Sequence, residues 1–439
     1  MHKISKLPQV DGDLGWLETA PNSTARLGTR LKGHHEFDVV IIGAGFTGIS
    51  TAIRFAEINP SARIALVDAL RVGEGASGRN AGFLIDLPHN MNFAKTGVEH
   101  ARSLFKLNNF AIERLRELKD RFSIPSWNDA GKYMAGHEDS NLPGLENFSG
   151  MLKHAGFKHD IVSGKDLARR LGTPYYQSAV YTSGNVLVNP AALVRGITQA
   201  LPPSVTLFEC SAVQGVEYGP PNKLRFLGGA ITSPIIVQAI NSYAEQFGKL
   251  AHRIVPIFTY ASLTRPLSDE QILRHFDGVK PWGLTSSHLA GTTVRFTDDR
   301  RIFVRNTYDY LPELRASGAK LEAAFKNHRT SFEARFPFLK DVEFEYTWGG
   351  VFSMTQNHEP VFAKPEEGVY VLSGCNGVGV VKGTYLGYYM AEYMSGIDSE
   401  DLRFIMQSSK PTWIPSDPLR LIGARMRIAW EASRAKGDV

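Results

Sequence analysis

The sequence predicts an α/β protein in which a domain built on a parallel sheet is combined with a second, α+β domain. Residues 37–42 form a short apolar run, residues 46–59 have helical periodicity, and residues 63–67 form a second apolar run. This order is typical of a right-handed βαβ unit whose strands are buried on both faces. From residue 254 to residue 304 the pattern changes to aromatic-rich segments separated by Pro and Gly, which indicates an antiparallel sheet.

Further elements follow from periodicity and from punctuation by Gly and Pro. Residues 98–122 form a long amphipathic pattern, and a helix is expected to begin near Pro190. The other predicted helices span 314–336, 383–394 and 419–435, and the other predicted strands of the parallel sheet span 205–209, 235–241 and 368–373. The parallel-sheet domain is therefore expected to be discontinuous in the chain.

Composition narrows the function classes. The 439 residues carry a net charge of only +5, without a block of one sign, so no nucleic-acid partner is expected. The two cysteines, Cys210 and Cys375, exclude a disulfide framework and argue against a cysteine-based zinc site. The first residues lack the apolar segment of a signal peptide, and no run approaches the roughly 18 apolar residues of a membrane span. We therefore expect a soluble, cytoplasmic protein that binds no metal ion.

A nucleotide-binding motif lies at the junction of the first strand and helix. Gly43, Gly45 and Gly48 form the pattern G-x-G-x-x-G. In this pattern the first glycine permits a tight turn, the second admits a pyrophosphate, and the third lets the helix approach the strand. Asp68, at the end of the second strand, is placed to accept ribose hydroxyls, and the helix beginning at Phe46 presents N–H groups to phosphate. A dinucleotide is the expected ligand, with a glycine-rich turn that serves packing alone as the alternative.

The loop "GEGASGRNAGF" at residues 73–83 distinguishes between dinucleotides. A nicotinamide-dependent enzyme would normally continue into further βαβ structure, whereas this chain makes a long polar loop at the carboxyl edge of the sheet. Ser77 and Arg79 are suited to pyrophosphate oxygens, and Gly82 would let backbone lie against a flat ring. The loop favours FAD, with a purely structural loop as the alternative.

A second glycine-rich turn supports the same cofactor. Residues 369–387, "VYVLSGCNGVGVVKGTYLG", contain a strand, a turn over 374–379 and a helix, and they follow the turn-rich segment 349–363. Backbone N–H groups and a helix N-terminus at this turn would stabilise negative charge at N1 and C2=O of a reduced flavin. Taken alone, the turn is equally well explained as an ordinary helix start.

With these motifs the chain resembles the D-amino-acid-oxidase-like (glycine-oxidase and sarcosine-oxidase-like) FAD-dependent amine oxidoreductases, and within them the gamma-glutamylputrescine-oxidase-like branch. The similar segments include "DVVIIGAGFTGISTAIRFA", "GASGRNAGF", "YYQSAVYTSGNVLVNPAAL", "GGVFSMTQNHEPVF" and "SGCNGVGVVKGTYLG". The resemblance covers nearly the whole chain. It implies a Rossmann-like FAD-binding domain interleaved with a substrate domain on a mixed or antiparallel sheet. It also implies oxidation of an amine by hydride transfer to flavin N5, which leaves an imine that hydrolyses.

Domain boundaries are expected accordingly. Residues 1–36 would form an N-terminal extension in which Trp16 is the large apolar anchor. The FAD-binding domain would comprise 37–85, 155–250 and 345–410, the substrate domain 86–154 and 251–344, and a C-terminal tail helix 411–439.

The resemblance also assigns residues to the cofactor. It implies that FAD is bound by Gly43, Gly45, Phe46, Thr47, Gly48, Asp68, Ser77, Arg79, Asn80, Ala81, Gly82 and Val213. The pyrimidine edge of the flavin would lie by Gly377, Val378, Gly379, Val380 and Val381. Some relatives attach flavin through a histidine early in the polar loop or through a cysteine before "SMTQNHEP". Neither is present in this chain, so non-covalent FAD is expected.

The substrate expected is a small primary or secondary amine, such as an amino acid, a polyamine derivative or an aminophosphonate. An amine near its usual pKa of about 10 must lose a proton before it yields a hydride, so the site is expected to exclude water or hold a base. The candidate catalytic residues are Arg301, His358, Tyr308 and Trp282, and further candidates for the lining are Phe83, His89, His288, Arg295 and Tyr310. Core packing for the tryptophan, ion pairing for the arginines and ordinary loop positions for the histidines are the alternatives.

The sequence leaves the electron acceptor open. Several relatives place a lysine over flavin N5 for reaction with oxygen, whereas the corresponding region here offers Arg301 and Arg305. Oxygen and another carrier are both candidates. A flavin-binding accessory protein without turnover and a nicotinamide-dependent dehydrogenase are the alternatives to an amine oxidase or dehydrogenase.

The basic segment 419–435 forms a separate feature. Its helical pattern carries Arg420, Arg425, Arg427 and Arg434. Such a helix either contacts a membrane surface or a partner, or it packs on the body of the protein with its charges in water.

Overall fold

The structure is a computed structural model, and it describes residues 1–88 and 97–438. Its helices, numbered in chain order, are α1 (Gly15–Glu18), α2 (Phe46–Ile58), α3 (Ala76–Arg79), α4 (Val98–Arg121), α5 (Leu142–Ala155), α6 (Gly164–Leu171), α7 (Pro190–Gly196), α8 (Asp269–His275), α9 (Gly318–Arg335), α10 (Gly379–Met394), α11 (Glu400–Gln407) and α12 (Leu419–Ala435). Among these described helices, none combines the length and the apolar character needed to cross a bilayer.

The strands are numbered in the same way. They are β1 (His2–Lys3), β2 (Gly33–Glu36), β3 (Val39–Ile42), β4 (Ile64–Val67), β5 (Phe83–Leu84), β6 (Trp127–Asn128), β7 (Lys132–Gly136), β8 (Asp160–Ser163), β9 (Ser178–Thr182), β10 (Val186–Val188), β11 (Val205–Phe208), β12 (Val213–Glu217), β13 (Asn222–Phe226), β14 (Gly229–Ser233), β15 (Ile235–Gln238), β16 (Val255–Thr264), β17 (Trp282–Ser286), β18 (Thr293–Phe296), β19 (Ile302–Tyr310), β20 (Phe344–Met354), β21 (Val361–Glu366) and β22 (Val369–Ser373).

The central sheet determines where a nucleotide can bind. Its strand order is β11-β4-β3-β15-β22-β21, and all neighbours are parallel except β22 and β21. Since β3 pairs with β4 on one side and with β15 on the other, the strand order reverses at β3, where α2 begins. Such a reversal opens a crevice at the carboxyl ends of the strands. The predicted βαβ unit and the predicted further strands of this sheet are confirmed.

The large sheet forms the second layer. Its order is β20-β16-β19-β18-β17-β7-β9-β8, and it is mixed because β17 and β7 are parallel while the other neighbours are antiparallel. The sequence boundaries had placed β8, β9 and β20 in the FAD-binding domain. In the structure β8 pairs with β9, β9 pairs with β7, and β20 pairs with β16. All three strands belong to the large sheet, through pairings that local periodicity does not reveal.

The second glycine-rich helix begins earlier than predicted. α10 starts at Gly379 and not at residue 383. A Cβ added at Gly383 would lie 2.5 Å from Thr47 Oγ1, and a Cβ added at Gly387 would lie 2.2 Å from the carbonyl oxygen of Thr47. These glycines therefore allow α10 to pack directly on α2, and they do not mark a helix start.

The N-terminal extension is integrated into the molecule. β1 pairs antiparallel with β12, and the Lys6 main chain forms two hydrogen bonds with the Gln246 side chain. Trp16 is buried, stacks on Phe303 with 5.2 Å between the ring centroids, and donates a hydrogen bond to Asn80 O. The extension thus joins the nucleotide side of the molecule to the large sheet.

Candidate cofactor and active site

An open cleft lies where β3, β4 and β15 end. Six of the predicted nucleotide-binding residues line it together, namely Gly43, Gly45, Asp68, Ser77, Arg79 and Val213. The lining also includes residues that sequence analysis did not propose, among them Ser211, Asn241, Tyr243, Gly349 and six residues between 4 and 11. The fold therefore gathers segments from four separate parts of the chain around one cleft.

The glycine motif forms the turn from β3 into α2. Gly43 has a φ of +103°, and an added Cβ there would lie 2.4 Å from the carbonyl oxygen of Ala239. An added Cβ at Gly48 would lie 1.8 Å from the carbonyl oxygen of Gly43, so no side chain fits between α2 and the turn. Main chain, and not side chains, therefore forms this wall of the cleft.

The first turn of α2 supplies hydrogen-bond donors. Over the described residues, the N–H groups of Gly45, Thr47 and Gly48 have no acceptor, whereas the Phe46 N–H donates to Ser77 Oγ at 3.2 Å. Because the Ser77 hydroxyl accepts this bond, its own hydrogen is available for another acceptor. Unpaired N–H groups at a helix N-terminus attract an anion, since the helix dipole adds to their partial charge. This end of the cleft fits a pyrophosphate.

Asp68 follows β4 and is held by the main chain. Its Oδ2 accepts from Ala44 N at 2.8 Å, and its Oδ1 accepts from Leu70 N at 2.9 Å. Burial raises the pKa of Asp68 to about 6, although the two N–H donors lower it. Each oxygen retains a lone pair, so the carboxylate is a fixed acceptor that could receive further hydrogen bonds from a ligand.

Arg79 connects the polar loop with the strand β20. Its Nε donates to Glu74 O at 2.6 Å, and its Nη1 donates to Asp11 O at 3.0 Å and to Gly349 O at 2.7 Å. Its Nη2 is buried and has no partner in the part of the chain that the structure describes. A buried donor without an acceptor costs about 1–3 kcal/mol. An anionic ligand in the cleft would supply this acceptor.

Asn80 and Arg295 form hydrogen bonds with the main chain of the polar loop. Asn80 Nδ2 donates to Ser77 O at 2.7 Å, and Asn80 Oδ1 accepts from Gly82 N at 2.9 Å. The buried Arg295 donates from Nη1 to Ala81 O at 2.7 Å, and an added Cβ at Gly82 would lie 2.2 Å from this nitrogen. Arg295 is therefore occupied by loop carbonyls and is not available to clamp a substrate. Both residues position the loop.

The second glycine turn provides another row of donors. Within the described chain, no acceptor is found for the N–H groups of Gly377, Gly379, Val380 and Val381. The turn is held from behind, because Ser353 Oγ accepts from Gly374 N at 2.9 Å and Asn376 Nδ2 donates to His358 O at 2.8 Å. The four N–H groups therefore have no partner among the described residues, while the turn itself is held in place by side chains. This arrangement is expected for a site that stabilises negative charge.

The two glycine-rich segments meet at one apolar cluster. Ala81 from the polar loop and Val378 from the second turn both pack on Phe83, Ile85 and Leu187. The site thus combines a donor row at the nucleotide cleft with a second donor row beside an apolar surface. This arrangement suits an extended cofactor with phosphates in its middle and a flat ring at one end.

Trp282 faces away from this cluster. It is 2% exposed and belongs to the apolar core of the large sheet with Leu284 and Phe296. Because side chains alternate along a strand, the next residue, Gly283, lies on the other face, where an added Cβ would be 2.5 Å from Phe83 Cε1. The structure therefore assigns Trp282 to core packing, the alternative that the sequence left open.

Arg301 and Tyr308 are occupied by other partners. Arg301 Nε pairs with Asp299 at 3.0 Å, and its Nη1 pairs with Glu345. The Tyr308 hydroxyl accepts from Arg305 Nη1 and is not among the described residues that line the cleft. For Arg301, ion pairing accounts for the observed contacts.

The other candidates fall in several places. His358 has a φ of +61° and touches the second glycine turn through its carbonyl oxygen. The Tyr310 hydroxyl donates to Asp417 at 3.0 Å, and burial lowers the pKa of His288, which lies beyond β17. His89 lies outside the described residues.

Sequence analysis missed a buried polar pair near the apolar cluster. Lys132 and Asp86 are 4% and 5% exposed. Asp86 Oδ1 has no hydrogen-bond partner among the described residues, and the charges of Lys132 and Asp86 lie close enough for each to shift the pKa of the other. Tyr133 pairs with Leu284, so Lys132 shares the sheet face of Gly283, which Phe83 covers. A lysine inside the apolar strand "KYMAG" was a signal in the sequence, because lysine is seldom fully buried without a function or a partner.

A switch-point cleft, an acidic residue after the second strand and, over the described residues, two rows of unpaired N–H groups are features of a dinucleotide-binding protein. The sequence model of the family described as "FAD dependent oxidoreductase" matches residues 38–393. The chain therefore belongs to this family of FAD-dependent oxidoreductases.

Individual relatives agree with this family. The chain is 26% identical to gamma-glutamylputrescine oxidoreductase from Escherichia coli (strain K12) over 366 residues, which cover 82% of this chain and 84% of that protein. It is 25% identical over 415 residues to the probable oxidoreductase OrdL of Rhizobium meliloti, covering 92% and 93% of the two chains. The fold is similar to that of glycine oxidase from Geobacillus kaustophilus, with a TM-score of 0.70 at 16% identity over 83% of this chain and 96% of that one. The resemblance stated from the motifs is confirmed.

Proposed function

We propose that this oxidoreductase oxidises the C–N bond of a small primary or secondary amine. The observation that carries the proposal is the row of unpaired N–H groups at Gly377, Gly379, Val380 and Val381, next to the polar loop. Such donors stabilise the negative charge that a flavin gains at N1 and C2=O on reduction. When bound, FAD supplies at N5 the acceptor for a hydride from the carbon next to nitrogen, and the substrate is released as an imine that hydrolyses to an aldehyde or keto product.

We further propose how the chain holds FAD. Asp68 accepts the ribose hydroxyls, while Ser77 Oγ, Arg79 Nη2 and the first N–H groups of α2 donate to the pyrophosphate. The unpaired Arg79 Nη2 and the unpaired N–H groups support this assignment. FAD is bound non-covalently in this proposal. We propose that Cys375, a partly buried residue of the second turn whose Sγ contacts Ser353 O at 3.8 Å, forms no bond to the flavin.

Lys132 and Asp86 suggest the chemistry of the substrate's second group. We propose that Lys132 binds an acidic group, as an amino acid or an aminophosphonate would carry, on the sheet face that Phe83 covers. Burial lowers the pKa of Lys132 to about 8, while Asp86 opposes that shift. A buried ammonium group without a hydrogen bond is costly unless a ligand pairs with it. An anionic substrate would provide this pairing.

The test is anaerobic reduction of the purified flavoprotein by candidate substrates. Amines, amino acids and aminophosphonates are added in turn while the flavin absorbance at about 450 nm is followed. Rapid bleaching by one compound supports amine oxidation and identifies the substrate class. Readmission of air then distinguishes oxygen from another electron acceptor. A flavoprotein that dithionite bleaches but that no member of the panel bleaches would contradict the proposed function and favour an accessory role.

A further inference from the structure

The C-terminal helix α12 has two apolar faces. Its inner face packs toward the body of the protein with Leu421, Ala424, Ile428, Ala432 and Ala435, all buried or partly buried. Its outer face carries Leu419, Ile422, Met426 and Trp430, which are 64%, 52%, 68% and 46% exposed. The spacing of these four residues places them on one stripe of the helix. A helix that is apolar on two opposite faces normally has a partner on both, and the described residues cover only one.

Arginines border the outer stripe on both sides. On helical geometry, Arg425 lies along one edge, and Arg427 and Arg434 lie along the other. The guanidinium carbons of Arg427 and Arg434 lie 4.5 and 4.7 Å from the centroid of the Trp430 ring. Glu431, the one acidic residue in the α12 sequence, pairs with Arg427, and its side chain is only 15% exposed. The outer face is therefore apolar at its centre and positively charged at both edges.

The helix is fixed in this orientation. At its start, Arg420 donates to Glu245 Oε2 at 2.7 Å and to Ile254 O at 3.1 Å. Just after its end, the buried Asp438 pairs with Arg335 and accepts at its carbonyl oxygen from Thr292 N at 2.9 Å. Since both ends are tied to the body, the outer stripe is a fixed surface.

We propose that the outer face of α12 binds the surface of an anionic phospholipid bilayer. An amphipathic helix lies in the interface with its apolar face among the acyl chains, and flanking arginines contact anionic headgroups. Tryptophan is enriched at this depth because its ring is apolar with one polar edge. A second copy of the chain fits less well, because pairing two outer faces would bring their arginine borders together. This inference is independent of the substrate and of the proposed reaction.

The experiment measures binding of the FAD-loaded protein to vesicles. The protein is sedimented with vesicles of phosphatidylglycerol and, separately, of phosphatidylcholine, at low and high salt. We expect binding to phosphatidylglycerol that weakens with salt and little binding to phosphatidylcholine. Arg425→Gln and Arg434→Gln should each lower the partition coefficient about fivefold.

A charge placed in the stripe separates this site from general adhesion. Ile422→Glu with Met426→Glu should lower binding by at least about tenfold. The matched control is Leu227→Glu with Leu273→Glu, at leucines that are 87% and 73% exposed elsewhere, and it should bind as the unmodified protein does. An unchanged flavin spectrum verifies folding of both variants. Absence of binding, or equal loss in the control, overturns the proposal. Sedimentation equilibrium tests the alternative partner. If the unmodified protein is a dimer, and Ile422→Glu with Met426→Glu dissociates it while the control does not, the outer face binds a second copy and the membrane proposal is overturned.

Discussion

At the scale of single residues, Asp68 links cofactor binding to pH. Its pKa is raised to about 6 because burial outweighs two main-chain donors. The ionised carboxylate accepts ribose hydroxyls, whereas the protonated form accepts them poorly. The affinity of the apoprotein for FAD should therefore be constant above about pH 7 and fall below about pH 6, approaching tenfold per pH unit. Quenching of flavin fluorescence on binding measures this affinity at each pH.

The stability of the apoprotein depends on pH in the direction opposite to that of its affinity for FAD. Because the folded-state pKa of Asp68 lies above the ordinary value of 3.8, the apoprotein loses stability as pH rises from 3.8 through about 6, and bound FAD offsets this loss. Asp68→Asn provides the control for the affinity measurement, since the amide does not titrate. This variant should bind FAD more weakly at neutral pH and without the decline below pH 6. If the decline persists in Asp68→Asn, another group is responsible.

Lys132 supports a second prediction at this scale. Lys132→Met replaces a buried ammonium group by an apolar side chain of similar length, so the fold and the FAD content should be retained. The KM for a substrate with an acidic group should rise about 10–100-fold, the cost of one charge-assisted hydrogen bond, while the KM for an uncharged amine should change little. Steady-state kinetics with both substrates measure this difference. Lys106→Met, at an exposed lysine paired with Asp401, is the control, and equal effects from both variants would contradict the assignment.

At the scale of elements, the contact between α2 and α10 holds the two donor rows together. An added Cβ at Gly387 would lie 2.2 Å from the carbonyl oxygen of Thr47. Gly387→Ala should therefore lower the free energy of unfolding by about 1–3 kcal/mol, because main chain cannot give way easily. Gly150→Ala, in the exposed part of α5 with no atom within 4 Å of the added Cβ, should raise it by about 0.5–1 kcal/mol. Urea unfolding compares the two. A stabilised Gly387→Ala would show that the helices are not in close contact.

Local periodicity predicted helices and strands well where the pattern of apolar residues and glycines alone determines the structure. β3, α2 and β4 follow from apolar runs and a glycine motif, and they lie within two residues of their predicted bounds. The start of α9 was misplaced, because Ser317 caps the helix by accepting from Lys320 N. The place of Trp282 was also not predictable, because a strand residue faces the core or the site according to a register that the sequence does not contain.

At the scale of the whole molecule, the features that could not be predicted from the sequence depend on pairing between strands that are distant in the chain. The large sheet joins strands from residues 132–182 with strands from residues 255–354, and the three-stranded sheet β5-β10-β6 includes β5, which begins where the polar loop ends. Motif spacing predicted that the glycine-rich turns would lie together, and six of the predicted residues do line one cleft, since the turn residues are close in the chain. It could not locate the wall contributed by residues 4–11 or the pair of Lys132 with Asp86, which depend on contacts between distant segments.

The N-terminal segment lines the cleft although it lies outside the glycine motif, and its contribution to cofactor binding can be tested by deletion. Asp11 O accepts from Arg79 Nη1 at 3.0 Å, and Lys6 is tied to Gln246 and, through Nζ, to Pro312 O at 2.8 Å. Deletion of residues 2–11 removes this wall and one partly buried hydrogen bond of the arginine that we assign to the pyrophosphate. FAD should then dissociate about tenfold faster, as followed by the rise of free flavin fluorescence after dilution. Lys6→Ala is the control, since it keeps the main chain and should retain FAD. Equal retention by the deleted protein would mean that residues 4–11 cover the cleft without contributing to cofactor binding.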